Sequence, residues 1–599
     1  MDAAPSAQLP ISGHLTTVEE APRTRPGRQS TNVDERSTLP ARNVEAEPVA
    51  NLADVLAALG AKEKTSRNKD MRSAVRTVIK ACRRPGSAIS VKPAELAQVL
   101  REATPALVGV SEGRWRNAVS STRAALRECG IAVMPGRDRM GLSDSWRVVV
   151  ELLPERRFRV GMSRMLSYFT RSGLTPTDVT ASHFDDYHQE LLTNSLHRSP
   201  EAAFRTSVRL WNQAVTAVPG WPKLNIALEP DPRRYSLPWV SFPATFLADV
   251  EAYLTHTGNQ DPLSDDYARP VATKTTDGRR KTIQQLASAL LKSGLPPDSL
   301  TSLAVLVELE NAKRALRYLL ERNGGETTPN CANQAYLIRT IAKYWVKAPE
   351  SDVKALKKIA SNLSTEKRGM VAKNRERLRQ FDAPEHLATL LALPARVLGE
   401  VAKNPTGSYR EAVRVMYGLA VEILTMAPLR RENLTSLELG RHVLEVGHGA
   451  TRRWKIVIPA GETKTRTPIE MSLPDESRAL LEAYLSIYRA RLGHADSVFL
   501  FPGRGGQRRS ADAFGRTISE FILRETGLKM NVHLFRHLAG KIYLEAHPDD
   551  IATVSRILTH RSTATTEKVY IEHRAEDGMR RYDETISRLR GAATGIGAL

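Results

Sequence analysis

Six residues in the C-terminal third of a 599-residue chain are of the types that phosphoryl transfer to a protein hydroxyl requires: Arg430, Lys464, His533, Arg536, His560 and Tyr570. Arg430 stands in Leu-Arg-Arg-Glu-Asn-Leu, and Lys464 in the turn Gly461-Glu462-Thr463-Lys464-Thr465-Arg466. His533, Arg536 and His537 form His-Leu-Phe-Arg-His, and Leu558-Thr559-His560-Arg561-Ser562 is followed by Thr565-Thr566 and Tyr570. Passing a phosphodiester to a protein hydroxyl concentrates negative charge on two non-bridging oxygens. Guanidiniums hold those oxygens bidentately and keep their protons. Histidines beside them add donors and assist proton transfer, a lysine on a hairpin can protonate the departing oxygen, and a tyrosine can retain the phosphate as an ester. Taken singly, each residue has an ordinary explanation: a surface cation, an exposed turn, a helix cap, a packed ring. Their joint occurrence in one domain is what points to chemistry.

The rest of the chain suits a polyanionic partner. Lys and Arg number 87 against 66 Asp and Glu, a formal net charge of +21, and neutralising phosphates releases condensed counterions. Hydrophobic residues at 41% and charged residues at 26% are ordinary for a globular protein of several domains. Cys82, Cys129 and Cys331 lie far apart, so neither a zinc ribbon nor a disulfide framework is expected, and a reducing compartment fits. With no long apolar run and no secretory n-region and h-region at the N-terminus, the expectation is a cytoplasmic protein with no membrane partner.

The elements that must position the six residues read as mainly α and multidomain. Residues 1–48 lack an apolar period and are expected to form a disordered arm. Helical modules are expected over 49–145, 146–235 and 236–380, ahead of a mixed α+β domain over 381–599. Three helical blocks share the order helix, Gly/Pro turn, helix, helix, with breaks at Pro85-Gly86, Ser172-Gly173 and Ser293-Gly294. Each leads to a tryptophan flanked by basic or apolar residues (Trp115, Trp211, Trp345), read as a core anchor before a base-stacking platform. An all-helical region also yields such echoes, so true repetition stays open. In the last domain, helices over Glu385–Val401 and Tyr409–Leu424 precede three short strands, His442–Val446, Trp454–Pro459 and Thr467–Leu473, before helices resume.

At the six residues the sequence resembles the tyrosine recombinase/phage integrase family over roughly residues 385–590. The resemblance implies that Arg430 and Arg536 are the two catalytic arginines and Lys464 the general acid. His533 and His560 take the histidine positions, and Tyr570 is the nucleophile that forms a 3′-phosphotyrosine. It further implies a site-specific recombinase that needs no metal, no ATP and no cofactor, and works on double-stranded DNA as a homotetramer. One helical module, most naturally the third, would be a core-binding domain that closes a clamp with the catalytic domain. The tail Glu572–Leu599 either docks on a neighbouring protomer or frays.

Three departures stand out. Asn433 occupies a position often acidic in the family, Thr559 replaces the usual glycine before His560, and Tyr570 lies ten positions after His560 rather than nine. Tyr582 is the reserve nucleophile. Two other readings remain: a catalytically silent DNA-binding architectural or regulatory protein, and a type IB topoisomerase-like enzyme.

Overall fold

The computed structural model describes residues 49–590 apart from 64, 136–140, 230–233, 259–262, 264–269, 365–369, 449–450, 561, 565, 568–578 and 580–581. The arm expected over 1–48 lies outside the described residues, as do Tyr570 and most of the tail after it. The fold is mainly helical with one small antiparallel sheet, and no helix among the described residues is long and apolar enough to cross a membrane.

Buried side chains fall into four clusters, each gathered by a consecutive stretch of chain apart from Leu196, which joins the first. The first body is built by α1 (Leu52–Ala61), α2 (Ser66–Cys82), α3 (Pro93–Glu102) and α4 (Glu112–Glu128). Leu52, Val75, Val78 and Leu126 lie at its centre. The second comprises α5 (Asp144–Glu151), α6 (Arg156–Arg171), α7 (Ala181–Thr193) and α8 (Pro200–Ala217). Its core is aromatic: Phe184 meets Trp211 edge-on at 5.1 Å, and Trp211 meets Trp221 at the same separation, arrangements that ring quadrupoles favour. The third holds α9 (Ala244–Gly258), α10 (Thr273–Lys292), α11 (Leu303–Val307), α12 (Leu309–Arg322), α13 (Pro329–Ile341) and α14 (Glu350–Asn362).

The three tryptophans singled out by the sequence sit in these bodies. Trp115 and Trp211 are buried, and the half-buried Trp345 donates to Asp249 Oδ1 at 2.9 Å.

The fourth body carries the site. It begins with α15 (Ala372–Arg379), α16 (Pro384–Leu391), α17 (Leu393–Lys403) and α18 (Tyr409–Met426). The single helix expected over Glu385–Val401 is therefore two, broken at Ala392. Pro394 has no N–H to give to the preceding turn, and its ring conflicts with the carbonyl four residues back, so a new helix starts there. The short α19 (Arg431–Thr435) follows, then β1 (Val443–Val446), β2 (Arg453–Ile458) and β3 (Ile469–Ser472), paired antiparallel in that order. Trp454, Ile456 and Ile458 alternate into the core along β2, where Ile456 stands opposite Val443 on one side and Met471 on the other. The body is completed by α20 (Asp475–Ala483), α21 (Ala511–Thr526), α22 (Val532–Ala546) and α23 (Ile551–Ile557).

The bodies touch at identifiable points. Leu107 of the first packs against the core of the fourth, beside Gly527. Lys274 at the start of α10 pairs with Glu432 of α19, which also receives Arg508 at 2.9 Å.

Candidate active site

Arg536 lies on the buried face of α22 and is 4% exposed. Its guanidinium donates to the Pro428 carbonyl at 2.7 Å and to the Leu558 carbonyl. One side chain thus ties the strand-like segment before Arg430 to the end of α23. Arg430, half-buried at the N-cap of α19, donates from Nη1 to Thr559 Oγ1 at 3.3 Å. The tripeptide Leu558-Thr559-His560 therefore receives both arginines, one on a carbonyl and one on a hydroxyl.

That tripeptide has its shape because α23 ends in a Schellman motif. His560 N donates to Ser555 O and Thr559 N to Arg556 O, each at 2.9 Å, the two bonds that define the motif. Its C′ residue must be left-handed, and Thr559 has φ 49°. Glycine takes this conformation freely, whereas a β-branched residue is strained in it. Thr559 thus keeps the turn at a conformational cost, and supplies the oxygen that Arg430 uses.

His560 is half-buried, and its Nδ1 lies 2.7 Å from Oγ1 of the fully buried Thr566. Burial pushes its pKa down to about 4, with Arg536, Arg430 and His533 adding to the effect. His533 keeps an exposed edge at the start of α22, with its ring 4.8 Å from His537. Partial removal of the ring from water lowers its pKa first, and then Arg536, Arg430, Arg431 and Lys464 do so. Burial alone lowers the Arg430 pKa, which leaves a guanidinium charged at any ordinary pH. Among the described residues, the charged groups that shift these two histidines are cationic or another histidine. The site has an unbalanced positive field, which an anionic oxygen would complete.

Lys464 is exposed in the turn between β2 and β3, close enough to His533 to act on it electrostatically. The base of its turn is fastened in three ways. Buried Asn433 donates to the Glu462 carbonyl at 3.0 Å. His442, 1% exposed, accepts from Glu438 N on Nδ1 at 3.1 Å, which leaves Nε2 to donate to Glu462 Oε2 at 3.0 Å. Thr463 Oγ1 donates to the Thr467 carbonyl at 2.8 Å.

Five of the six sequence-predicted residues are thus brought into one neighbourhood: Arg430, Arg536, His533 and His560 as a cluster, and Lys464 beside it. The sixth, Tyr570, lies outside the described residues. Tyr582, the reserve, is 59% exposed on the helical stretch 582–590, and among the described residues it hydrogen-bonds to none of the cluster. Sequence reasoning named Thr566 within a motif but gave it no role, and it missed His442 and the uses of Asn433 and Thr559. The last two were visible only as departures from a pattern.

No family model matches the chain. Over 147 residues, 24% of this chain, it is 29% identical to the tyrosine recombinase XerC of Azotobacter vinelandii (strain DJ / ATCC BAA-1303), covering 45% of that protein. It is likewise 29% identical over 147 residues to the tyrosine recombinase XerC of Pseudomonas aeruginosa (strain LESB58), covering 44% of it. The match thus spans less than half the length of these curated relatives. Among solved structures, a lambda integrase dimer bound to a COC′ core site shares 13% identity at a TM-score of 0.32, covering 62% of this chain and 87% of that one. The XerH site-specific recombinase bound to palindromic difH substrate, in a post-cleavage complex, shares 14% at a TM-score of 0.34, covering 58% and 99%. The sequence matches relate the chain to the tyrosine recombinases, the family its motifs resemble.

Proposed function

We propose that the chain is a site-specific DNA recombinase that cuts and rejoins double-stranded DNA through a 3′-phosphotyrosine on Tyr570. The observation that carries this is the convergence of Arg430, Arg536, His533 and His560 around the turn Leu558–His560, with Lys464 beside them. The two guanidiniums bind the non-bridging oxygens and stabilise the charge that builds on them in the pentavalent transition state. His533 and His560, held neutral at pH 7 by burial and their cationic neighbours, donate to the same oxygens or relay the tyrosine proton. Lys464 protonates the leaving 5′ oxygen. The ester on Tyr570 conserves the bond energy, so rejoining needs no ATP, and the arginines supply the charge a metal would otherwise bring.

Thr566, bonded to His560, stands four residues before Tyr570. Whatever path those residues take, four peptide units hold the tyrosine within about 14 Å of Thr566. The ten-residue spacing from His560 is compatible with that reach.

In this reading the third and fourth bodies grip the duplex as core-binding and catalytic domains, the first two extend the grip, and recombination proceeds in a homotetramer on DNA. A duplex nicked near the cleavage site, which loses its rejoining strand, tests the chemistry. Wild-type protein should accumulate a covalent protein–DNA adduct, and Tyr570→Phe should form none. An adduct undiminished in that variant would remove Tyr570 as the nucleophile. No adduct with any duplex would favour a binding-only architectural role, and relaxation of unrelated plasmids by dilute protein would favour a topoisomerase.

A further inference from the structure

The first and second bodies meet along a seam whose charge is unexplained by folding. The segment after α7 crosses from one body to the other. Asn194 accepts at its carbonyl from Met134 N at 2.7 Å, Leu196 is buried in the core of the first body, and the Arg198 carbonyl accepts from Arg101 Nη1 at 3.2 Å. His197 sits half-buried at the centre of this crossing. Its Nδ1 accepts from Ser199 N at 3.1 Å, so the neutral ring carries its proton on Nε2, a donor with no hydrogen-bond acceptor among the described residues.

Cations from both bodies collect here. Arg123 and Arg127 lie one turn apart on α4, and Arg164 comes from α6. Arg123 is half-buried, and its Nε is buried with no hydrogen-bond partner among the described residues. Among the described residues, no carboxylate pairs with Arg123, Arg127 or Arg164. Burial lowers the Arg123 pKa, and both Arg164 and Arg127 lower it further; burial and then Arg164 do the same to His197. Like charges half-removed from water raise the energy of the folded chain unless an anion joins them.

We propose that this seam binds a backbone phosphate of duplex DNA through Arg123, Arg127 and Arg164, with His197 as an additional donor; the inference rests on the DNA-binding part of the function proposed above. Guanidiniums arriving from two helices can each engage two phosphate oxygens, a geometry suited to a tetrahedral diester. The site spans two bodies, so an engaged phosphate would also fix their relative placement.

The test compares full-length wild type with Arg123→Gln/Arg164→Gln, reading duplex affinity by fluorescence anisotropy across a salt series, thermal melting, and adduct formation on the nicked duplex. Each phosphate that the variant no longer neutralises should lower the slope of log affinity against log salt by about 0.9, making the decline between about 50 and 200 mM salt roughly 3.5-fold smaller. The variant's melting temperature should equal or exceed that of wild type, because mutual repulsion is removed. An unchanged slope would overturn the proposal, and a lowered melting temperature with an unchanged slope would assign the cluster to folding. Inorganic phosphate raising the melting point of wild type alone, again with an unchanged slope, would assign the site to a free anion and overturn the duplex. An acidic peptide competing for the seam while DNA slopes agree would do likewise. Wild type that binds duplex without salt dependence would defeat the DNA reading itself, a result distinct from equal, steep slopes in both proteins.

Discussion

Replacing Thr559 with glycine separates two things that the residue does at once. Its left-handed backbone at φ 49° costs a non-glycine residue roughly 1–2 kcal/mol, at the upper end for a β-branched one. Glycine would recover that amount. It would lose about 0.5–1 kcal/mol to the greater freedom of the unfolded chain, and about 0.8 kcal/mol from the methyl group of a side chain only 7% exposed. The bond from Arg430 is lost as well, about 1.5 kcal/mol, so Thr559→Gly should be roughly 1 kcal/mol less stable and melt within about 4 °C of wild type. Adduct formation should not be spared. The hydroxyl accepts from Arg430 at 3.3 Å, at the weak end of bonds to charged groups, worth about 1.5 kcal/mol. Losing that much orientation in the transition state slows the reaction about tenfold. Thr559→Ser keeps the oxygen and should stay within about threefold of wild type, a residual barrier change of under 1 kcal/mol. Thr559→Ala keeps the strain without the oxygen and should be as slow as glycine but less stable. Single-turnover adduct formation on the nicked duplex, with melting curves for all four proteins, reads both quantities. A glycine variant as fast as wild type would refute the role of the Thr559–Arg430 bond, and a serine variant as slow as glycine would show that the oxygen is not what matters.

Other perturbations have definite signs. Arg536→Ala should lower stability by about 2–4 kcal/mol, measurable by denaturant titration, because two buried carbonyls, Pro428 and Leu558, lose their donor; Arg430→Ala is the cleaner catalytic knockout and should abolish the adduct while sparing most DNA affinity. His560 has its pKa depressed to about 4 from an ordinary value near 6.5, so the unfolded chain takes up the proton first. Its contribution is intact above about pH 6.5, is lost as pH falls toward 4 and changes no further below that; denaturation midpoints across this range should fall more steeply for wild type than for His560→Asn. Asn433→Asp would set an acceptor against the Glu462 carbonyl that Asn433 now serves. It should melt earlier, by about 1–3 kcal/mol of stability, and form adduct more slowly because the Lys464 turn loosens.

Much of the site was legible because its residue types are unusual in combination and lie within short motifs whose local structure is set by the chain itself. His533 and Arg536 fall at the start of a helix capped by Asn531, whose side chain accepts from Leu534 N at 2.9 Å. The three strands were readable from alternation, as in Trp454, Ile456 and Ile458. What escaped depends on partners distant in sequence. Thr559 meets Arg430 across 129 positions, and Asn433 reaches the Glu462 carbonyl 29 positions on; no local pattern encodes either. The helix expected over Glu385–Val401 hid a break because its apolar period runs on through Pro394.

The pair between Lys274 and Glu432 joins the third body to α19, the helix that follows Arg430, and its side chains are 76% and 48% exposed. An ion pair so open to water contributes about 1 kcal/mol or less, and at physiological salt its attraction fades within about 8 Å. Thermal motion alone is enough to part it. At this point the two bodies behave as a compliant joint, and separating them there costs far less than unpacking either hydrophobic core.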